Sequence, residues 1–275
     1  MSIKVAIQGG RASFHEEAAR KFFNEEEVEI VECMTFKETC ELLKARKVDY
    51  VVMAIENSLA GSILPNYNLL RDYRFHIVGE VCLNIQQNLL ALPGTKIADI
   101  QYVESHPIAL SQCSDFLEGY EHIIVKEGVD TALCAQKIAD EKLKNTAAIA
   151  SMAAAELFGL EVLEKRIETH KKNTTRFLIL KDEIVEIKNA NKASLSFQTG
   201  HSVGSLASVL QCFAEEKVNL SKIQSMPVLG RRNEYEFYVD VDWKKQSDYD
   251  AAIRKALKHT AHFSIMGEYL KNNRV

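Results

Sequence analysis

Along the first 180 residues, short apolar runs alternate with helically spaced apolar faces. The run IKVAIQ at 3–8 predicts a buried strand. SFHEEAARKFF at 13–23 then shows helical spacing, with Ser13 placed to cap and Glu16 three residues on. VEIVEC at 28–33 alternates as a strand does. TFKETCELLKARK at 35–47 is helical, with Thr35 and Glu38 at the capping positions, and YVVMAI at 50–55 predicts a second buried strand. This β-α-β-α-β order predicts a parallel sheet with helices on both faces.

Residues 75–92 form a β-rich stretch, after which the alternation resumes. A helix is expected over 107–119, opening at Pro107. HIIVKEG, AAIAS, VLEKRI and RFLILK read as strands, and VDTALCAQKIADEK and MAAAELF as helices. ETHKKNTT at 168–175 has no apolar residue and reads as an exposed loop. So many strands suit two α/β lobes with a cleft between them better than one sheet. The first lobe is expected at 1–76 with 168–181, and the second at 77–167.

DEIVEIKNANK at 182–192 reads as a polar linker. Beyond it the order is β-α-β-β-α-β, the ferredoxin-like unit, over 193–275. Its first helix, at 202–216, is expected to bury Val203, Leu206, Val209, Leu210 and Phe213, and Ser247 is expected to cap the second.

Composition adds exclusions. The chain has 275 residues, 47% of them apolar, which excludes wholesale disorder. Its 34 Lys and Arg against 38 Asp and Glu give a net charge of −4, with no global pull toward nucleic acid or anionic lipid. No apolar window approaches a membrane span, and the first residues lack a signal-peptide core. A cytoplasmic protein is expected. The six cysteines form no C-x-x-C pair and read as small buried hydrophobes.

Cofactor signatures are missing. Gln8-Gly9-Gly10-Arg11 does not continue as a dinucleotide fingerprint, and no phosphate loop, H-E-x-x-H or calcium loop occurs. A site without metal or cofactor is therefore expected. Polar residues gather at strand ends: Gly9, Gly10 and Ser13; Glu56, Asn57 and Ser58; Ser105, His106 and Pro107; Thr174, Thr175 and Arg176. In open α/β sheets ligands bind beyond the carboxyl ends of strands, and helix N-termini there favour anions. Each group also reads as an ordinary turn or cap.

Together these groups resemble one family. Gly9-Gly10-Arg11-Ala12-Ser13-Phe14-His15 is similar to the G-P-x-G-[ST]-F-[ST] segment of prephenate dehydratases. Ile55-Glu56-Asn57-Ser58 with Gly61 resembles their P-I-E-N-S-x-x-G element. Ser105-His106-Pro107 with Ala109, Leu110 and Gln112 resembles S-H-P-x-A-L-x-Q, and Asn173-Thr174-Thr175-Arg176-Phe177 resembles N-x-T-R-F. The four come in the family's order, and the C-terminal unit is similar to the ACT regulatory domain. The resemblance implies a two-lobed catalytic domain, like that of periplasmic binding proteins, at 1–181 and an ACT domain at 193–275.

It also implies the reaction: prephenate loses CO₂ and its ring hydroxyl to give phenylpyruvate, a step in phenylalanine biosynthesis. Thr175 is implied as proton donor to the leaving hydroxyl. Arg176 offers a planar fork to one carboxylate, while the N–H groups near Ser13, with Asn57 and Ser58, are expected to hold the other. Phe177 faces the ring or joins the core, Glu56 orients neighbours or touches substrate, and His106 organises the Ser105 loop or transfers a proton.

Departures are Gly10 for Pro, Ala12 for Gly, His15 at the second hydroxyl position and Ala54 for Pro. The regulatory elements G-A-L and E-S-R-P become Gly204-Ser205-Leu206 and Gln224-Ser225-Met226-Pro227, while Asn219-Leu220 is kept. These residues are the expected site for L-phenylalanine as allosteric effector. Arogenate as substrate, or a non-catalytic amino-acid-responsive anion sensor, are the alternatives. A homodimer or homotetramer is expected. With the first strand at Ile3, no fused chorismate mutase domain is expected in front of it.

Overall fold

The computed structural model describes residues 2–24 and 26–272. Its first elements follow the apolar pattern: β1 (Ile3–Gln8), α1 (Phe14–Phe23), β2 (Val28–Cys33), α2 (Phe36–Lys44) and β3 (Tyr50–Asn57). Both helices start at the expected caps. Ser13 Oγ accepts from the Glu16 N–H at 3.4 Å, and Thr35 Oγ1 from the Glu38 N–H at 3.1 Å. β1 pairs in parallel with β2 and with β3.

β4 (Gly61–Ser62) and α3 (Leu64–Tyr73) follow; α3 lies in a stretch to which the pattern assigns no element. Next come β5 (His76–Asn84), β6 (Asn88–Ala91), β7 (Tyr102–Ser105), α4 (Pro107–Gln112), α5 (Ser114–Glu118) and β8 (Ile124–Glu127). The helix expected over 107–119 is thus two, broken at Cys113. α6 (Thr131–Glu141), β9 (Thr146–Ala150), α7 (Met152–Phe158), β10 (Glu161–Glu164) and β11 (Thr174–Lys181) complete this region.

Two sheets result. The first runs β2-β1-β3-β11-β5, with β4 on β3. The second runs β10-β6-β9-β7-β8 and mixes parallel and antiparallel pairs. The segment 168–175 is not the exposed loop its polarity suggests. Glu168 and Asn173 are fully buried, and Thr174 and Thr175 open β11.

The last elements are β12 (Lys192–Gln198), α8 (Ser205–Glu215), β13 (Asn219–Pro227), β14 (Tyr235–Asp242), α9 (Gln246–Ala256) and β15 (His262–Tyr269). The sheet order β13-β14-β12-β15, antiparallel throughout, is that of a ferredoxin-like βαββαβ unit. Leu195 and Phe197 of β12 pack with Val209 and Phe213 of α8 and with Tyr249 and Ala252 of α9.

Three details correct the pattern. Val203 lies before α8 and is fully exposed, because the helix begins after Gly204, whose φ is +83°. Ser247 lies inside α9, whose N-cap is Lys245. Lys192 is not the end of a solvated linker: it opens β12 buried, with Nζ 2.9 and 2.7 Å from the Glu80 carboxylate oxygens.

The chain divides into two compact units, 2–73 with 81–178, and 74–80 with 179–272. The short segment is held in the second unit by the Lys192–Glu80 pair and by the close approach of Gly267 to the Ile77 carbonyl, where no Cβ fits.

Candidate active site

The site is built where β3 ends beside the start of β11. Asn57 closes β3 with an Asx turn: its Oδ1 accepts the N–H groups of Leu59 at 3.0 Å and Ala60 at 2.9 Å. A main-chain N–H only donates, so these two contacts fix which way the amide faces. Nδ2 must point the other way, where it donates to Asn173 Oδ1 at 2.7 Å and to Thr175 Oγ1 at 2.9 Å.

The polarity propagates. With its oxygen taken, Asn173 donates through Nδ2 to Gln112 Oε1 at 2.8 Å, and Gln112 Nε2 turns back to Asn57 Oδ1 at 3.4 Å. Three amides therefore form a closed ring with one sense of donation. Its outlet is Thr175. Because Thr175 Oγ1 accepts from Asn57, its own proton is available to a different partner.

Ser58 splints the same junction. Its N–H donates to the Thr174 carbonyl at 2.8 Å, and its Oγ accepts the Thr174 N–H at 2.9 Å. Glu56 pairs with Ser62 across the β3–β4 turn. Arg176 follows Thr175 along β11, both half-buried. Phe177 is 1% exposed, its ring edge-on to His15 with centroids 5.0 Å apart. Ser105 is also buried, its Oγ donating to the Ile149 carbonyl at 2.6 Å. Phe177 and Ser105 thus stand behind the site.

His106 caps α4, its Nδ1 accepting the Ile108 N–H at 3.3 Å, which leaves Nε2 to carry the proton of the neutral ring. Burial pushes the His106 pKa down, while Asp130 and Glu127 push it back up. Burial raises the Asp130 carboxyl, against hydrogen bonds from the Leu133, Gly10 and Ala132 N–H groups and the nearby His106.

The turn before α1 differs from expectation. Gly9 N–H donates to the Cys33 carbonyl at 2.9 Å and Arg11 N–H to Glu32 at 3.3 Å, while the Asp130 carboxylate lies against the Gly9-Gly10 backbone. Ala12 N–H donates to Glu16 at 2.6 Å and Ser13 N–H to the Gly10 carbonyl at 3.3 Å. The N–H groups of Gly9, Arg11, Ala12 and Ser13 are thus used within the protein, and the Asp130 carboxylate stands at Gly9 and Gly10, so the turn is a poor seat for a ligand carboxylate. Asn57 likewise spends its amide on Asn173 and Thr175.

Beside Gln112 lies a cavity of about 500 Å³. Leu59, Ala60 and Ile108 form its apolar wall, and Ser111, Gln112, Thr169, Asp115 and His170 are among its polar groups. No Lys or Arg lines it. Among the described residues, no group of three or more His, Cys, Asp or Glu is placed to hold a metal, and no helix is long and apolar enough to cross a membrane.

Residues 5–184 match the family model described as prephenate dehydratase. The chain belongs to the prephenate dehydratase family. As a member it is a carbon–oxygen lyase, a dehydratase of phenylalanine biosynthesis. It is 38% identical to arogenate dehydratase 2 of Petunia hybrida over 97% of this chain and 71% of that one. The prephenate dehydratase structure from Staphylococcus aureus superposes with a TM-score of 0.83 at 26% identity, covering 97% of this chain and 100% of that one. GqqA, described as a novel type of quorum-quenching acylase, superposes with a TM-score of 0.87 at 26% identity, covering 98% of each chain.

Asn173 and Gln112 stand in two of the family motifs, yet nothing in the sequence set them beside Asn57. Asp130 was legible only as the second residue of the expected helix VDTALCAQKIADEK, whereas it stands as that helix's N-cap.

Proposed function

We propose that the amide ring presents the Thr175 hydroxyl as the proton donor in the decarboxylative dehydration of prephenate. The ring carboxylate leaves as CO₂, its bonding pair shifts through the diene, and the C–O bond to the ring hydroxyl breaks. The departing hydroxide takes the Thr175 proton and leaves as water, and the ring becomes aromatic. Thr175 regains its proton from solvent.

A threonine hydroxyl is a weak acid, so this role needs support for charge on Oγ1. The Asn57 N–H at 2.9 Å supplies it, and this contact carries the reading. The cavity beside Gln112 adjoins the three amides and is lined by neither Thr175 nor Arg176. Arg176 offers its fork to the carboxylate that stays.

Arogenate, with an amine in place of the keto group, is the second candidate substrate, favoured by the likeness to the Petunia enzyme. Mixing the protein with each compound tests both. Phenylpyruvate absorbance from prephenate, or phenylalanine from arogenate, is the expected product, and the two kcat/KM values set the preference. Absence of either product would leave the anion-sensor alternative.

We assign the dehydratase domain to 1–181, as two lobes resembling periplasmic binding proteins, and an ACT regulatory domain to 193–275. Gly204, Ser205 and Leu206 stand at the start of α8. Asn219 and Leu220 follow its far end, about 16 Å along an eleven-residue helix. One copy does not bring both sets around one small effector, so a second copy would have to supply one of them. We therefore read L-phenylalanine as an effector held between two copies, with Ser225 on the returning strand β13. Activity that falls at millimolar phenylalanine supports this; unchanged activity removes it without touching the catalytic reading.

A further inference from the structure

Asp130 does two jobs with one carboxylate. As N-cap of α6 it accepts through Oδ1 the N–H groups of Ala132 at 2.9 Å and Leu133 at 3.0 Å. The same carboxylate lies against the Gly9-Gly10 backbone of the turn after β1. β1 belongs to the first sheet, while α6 packs on β9 of the second. Glu16 and Glu32 also meet this turn, but both belong to elements next to β1. Asp130 reaches it from the other lobe.

The fit excludes side chains. A Cβ on Gly9 would stand 2.6 Å from Asp130 Oδ2, and one on Gly10 2.8 Å from Leu133 Cδ2. Gly9 also has a φ of +96°, a conformation that L side chains rarely adopt. A hydrogen bond runs the same way: Ser151 Oγ, at the N-cap of α7, donates to the Ala12 carbonyl at 2.8 Å. The turn is therefore pinned to the starts of two helices of the opposite lobe. Gly10 replaces the motif's Pro, and Leu133 takes the space a side chain there would need, so the fit depends on this chain's own departure.

We propose that Asp130 is a positioning residue that latches the turn at 9–13 onto α6 and holds the two lobes in the spacing that binds substrate. The proposal deepens the catalytic reading and rests on it only for the kinetic part. A latch raises the fraction of molecules in the binding-competent arrangement, so its loss weakens apparent affinity in proportion.

Asp130→Ser separates the two jobs. Serine is a good N-cap for α6 but is too short to reach Gly10. The variant is expected to exchange its Gly10–Ala12 amides at least about tenfold faster, with α6 protection unchanged, in the absence of substrate. Its KM for prephenate is expected to rise about fivefold or more, with kcat within about twofold. Asp130→Asn, nearly isosteric, is the second variant. Whichever way its amide faces, it gives up a carboxylate oxygen either at the turn or at the α6 cap, and the exchange pattern tells which. Unchanged exchange at 9–13 in both variants overturns the latch. Faster exchange there with unchanged KM overturns its role in substrate binding. The exchange result stands whether or not the wild type turns over prephenate, so failure of the catalytic reading is seen separately, in the wild-type assay.

Discussion

The Thr175 hydroxyl oxygen accepts a hydrogen bond from the Asn57 amide at 2.9 Å, and the Leu59 and Ala60 N–H groups hold that amide in the one orientation that allows it. The hydroxyl proton is thereby kept for another acceptor. Asn57→Asp keeps the turn, because a carboxylate oxygen still accepts from Leu59 and Ala60. It replaces the donor facing Thr175 with an acceptor, which draws the Thr175 proton inward and opposes charge on Oγ1. We expect kcat to fall about 100-fold or more with the fold retained, checked by steady-state kinetics and circular dichroism.

Arg176 is read as the holder of a carboxylate and Thr175 as the proton donor, so the two roles separate experimentally. Arg176→Lys keeps the charge and loses the planar fork. If Arg176 holds the carboxylate that remains on the product, KM rises about tenfold or more while kcat changes little.

Lys192 and Glu80 form a buried ion pair, with side chains 9% and 1% exposed. The Glu80 carboxylate also accepts the Asn272 N–H at 3.1 Å. Lys192→Met leaves that carboxylate buried without its cation and is expected to cost about 3–5 kcal/mol in urea unfolding. Lys192→Met combined with Glu80→Leu removes both charges and is expected to recover most of the loss.

His15 sets an acid limit on stability. Its Nε2 is buried without a hydrogen-bond partner, and burial lowers its pKa to about 3. The unfolded chain binds a proton at the ordinary pKa near 6.5, so between about 6.5 and 3 it holds more protons than the folded one. Stability is therefore complete above pH 6.5 and falls with acidification by up to about 1.4 kcal/mol per pH unit. His15→Leu should flatten the unfolding free energy between pH 4 and 6.5, measured by denaturant titration at each pH.

The apolar periodicity carried the strands β1, β2 and β3, the capped helices α1 and α2, and the βαββαβ order of the last third. Each is decided by neighbours in sequence. What it missed depends on partners far away. Glu168 and Asn173 look like loop residues because burial of polar groups requires donors and acceptors from elsewhere: Gln87 N–H for one, Asn57 and Gln112 for the other. Lys192 looked solvated because Glu80, 112 residues earlier, is not visible as its partner. The motifs picked out Thr175 and Asn57, but their contact across 118 residues, and the direction of donation, needed coordinates. The same holds for the donors at 9–13. A glycine-rich turn before a helix reads as an anion seat, and here the chain's own carboxylates fill it.

Replacing Thr175 by alanine removes the hydroxyl and leaves Asn57, Asn173 and Gln112 free to keep their ring. The account expects kcat/KM for prephenate to fall about 100-fold or more, with Thr175→Ser restoring most of it. A fall of less than about tenfold in Thr175→Ala would contradict the assignment of the leaving-group proton to this residue.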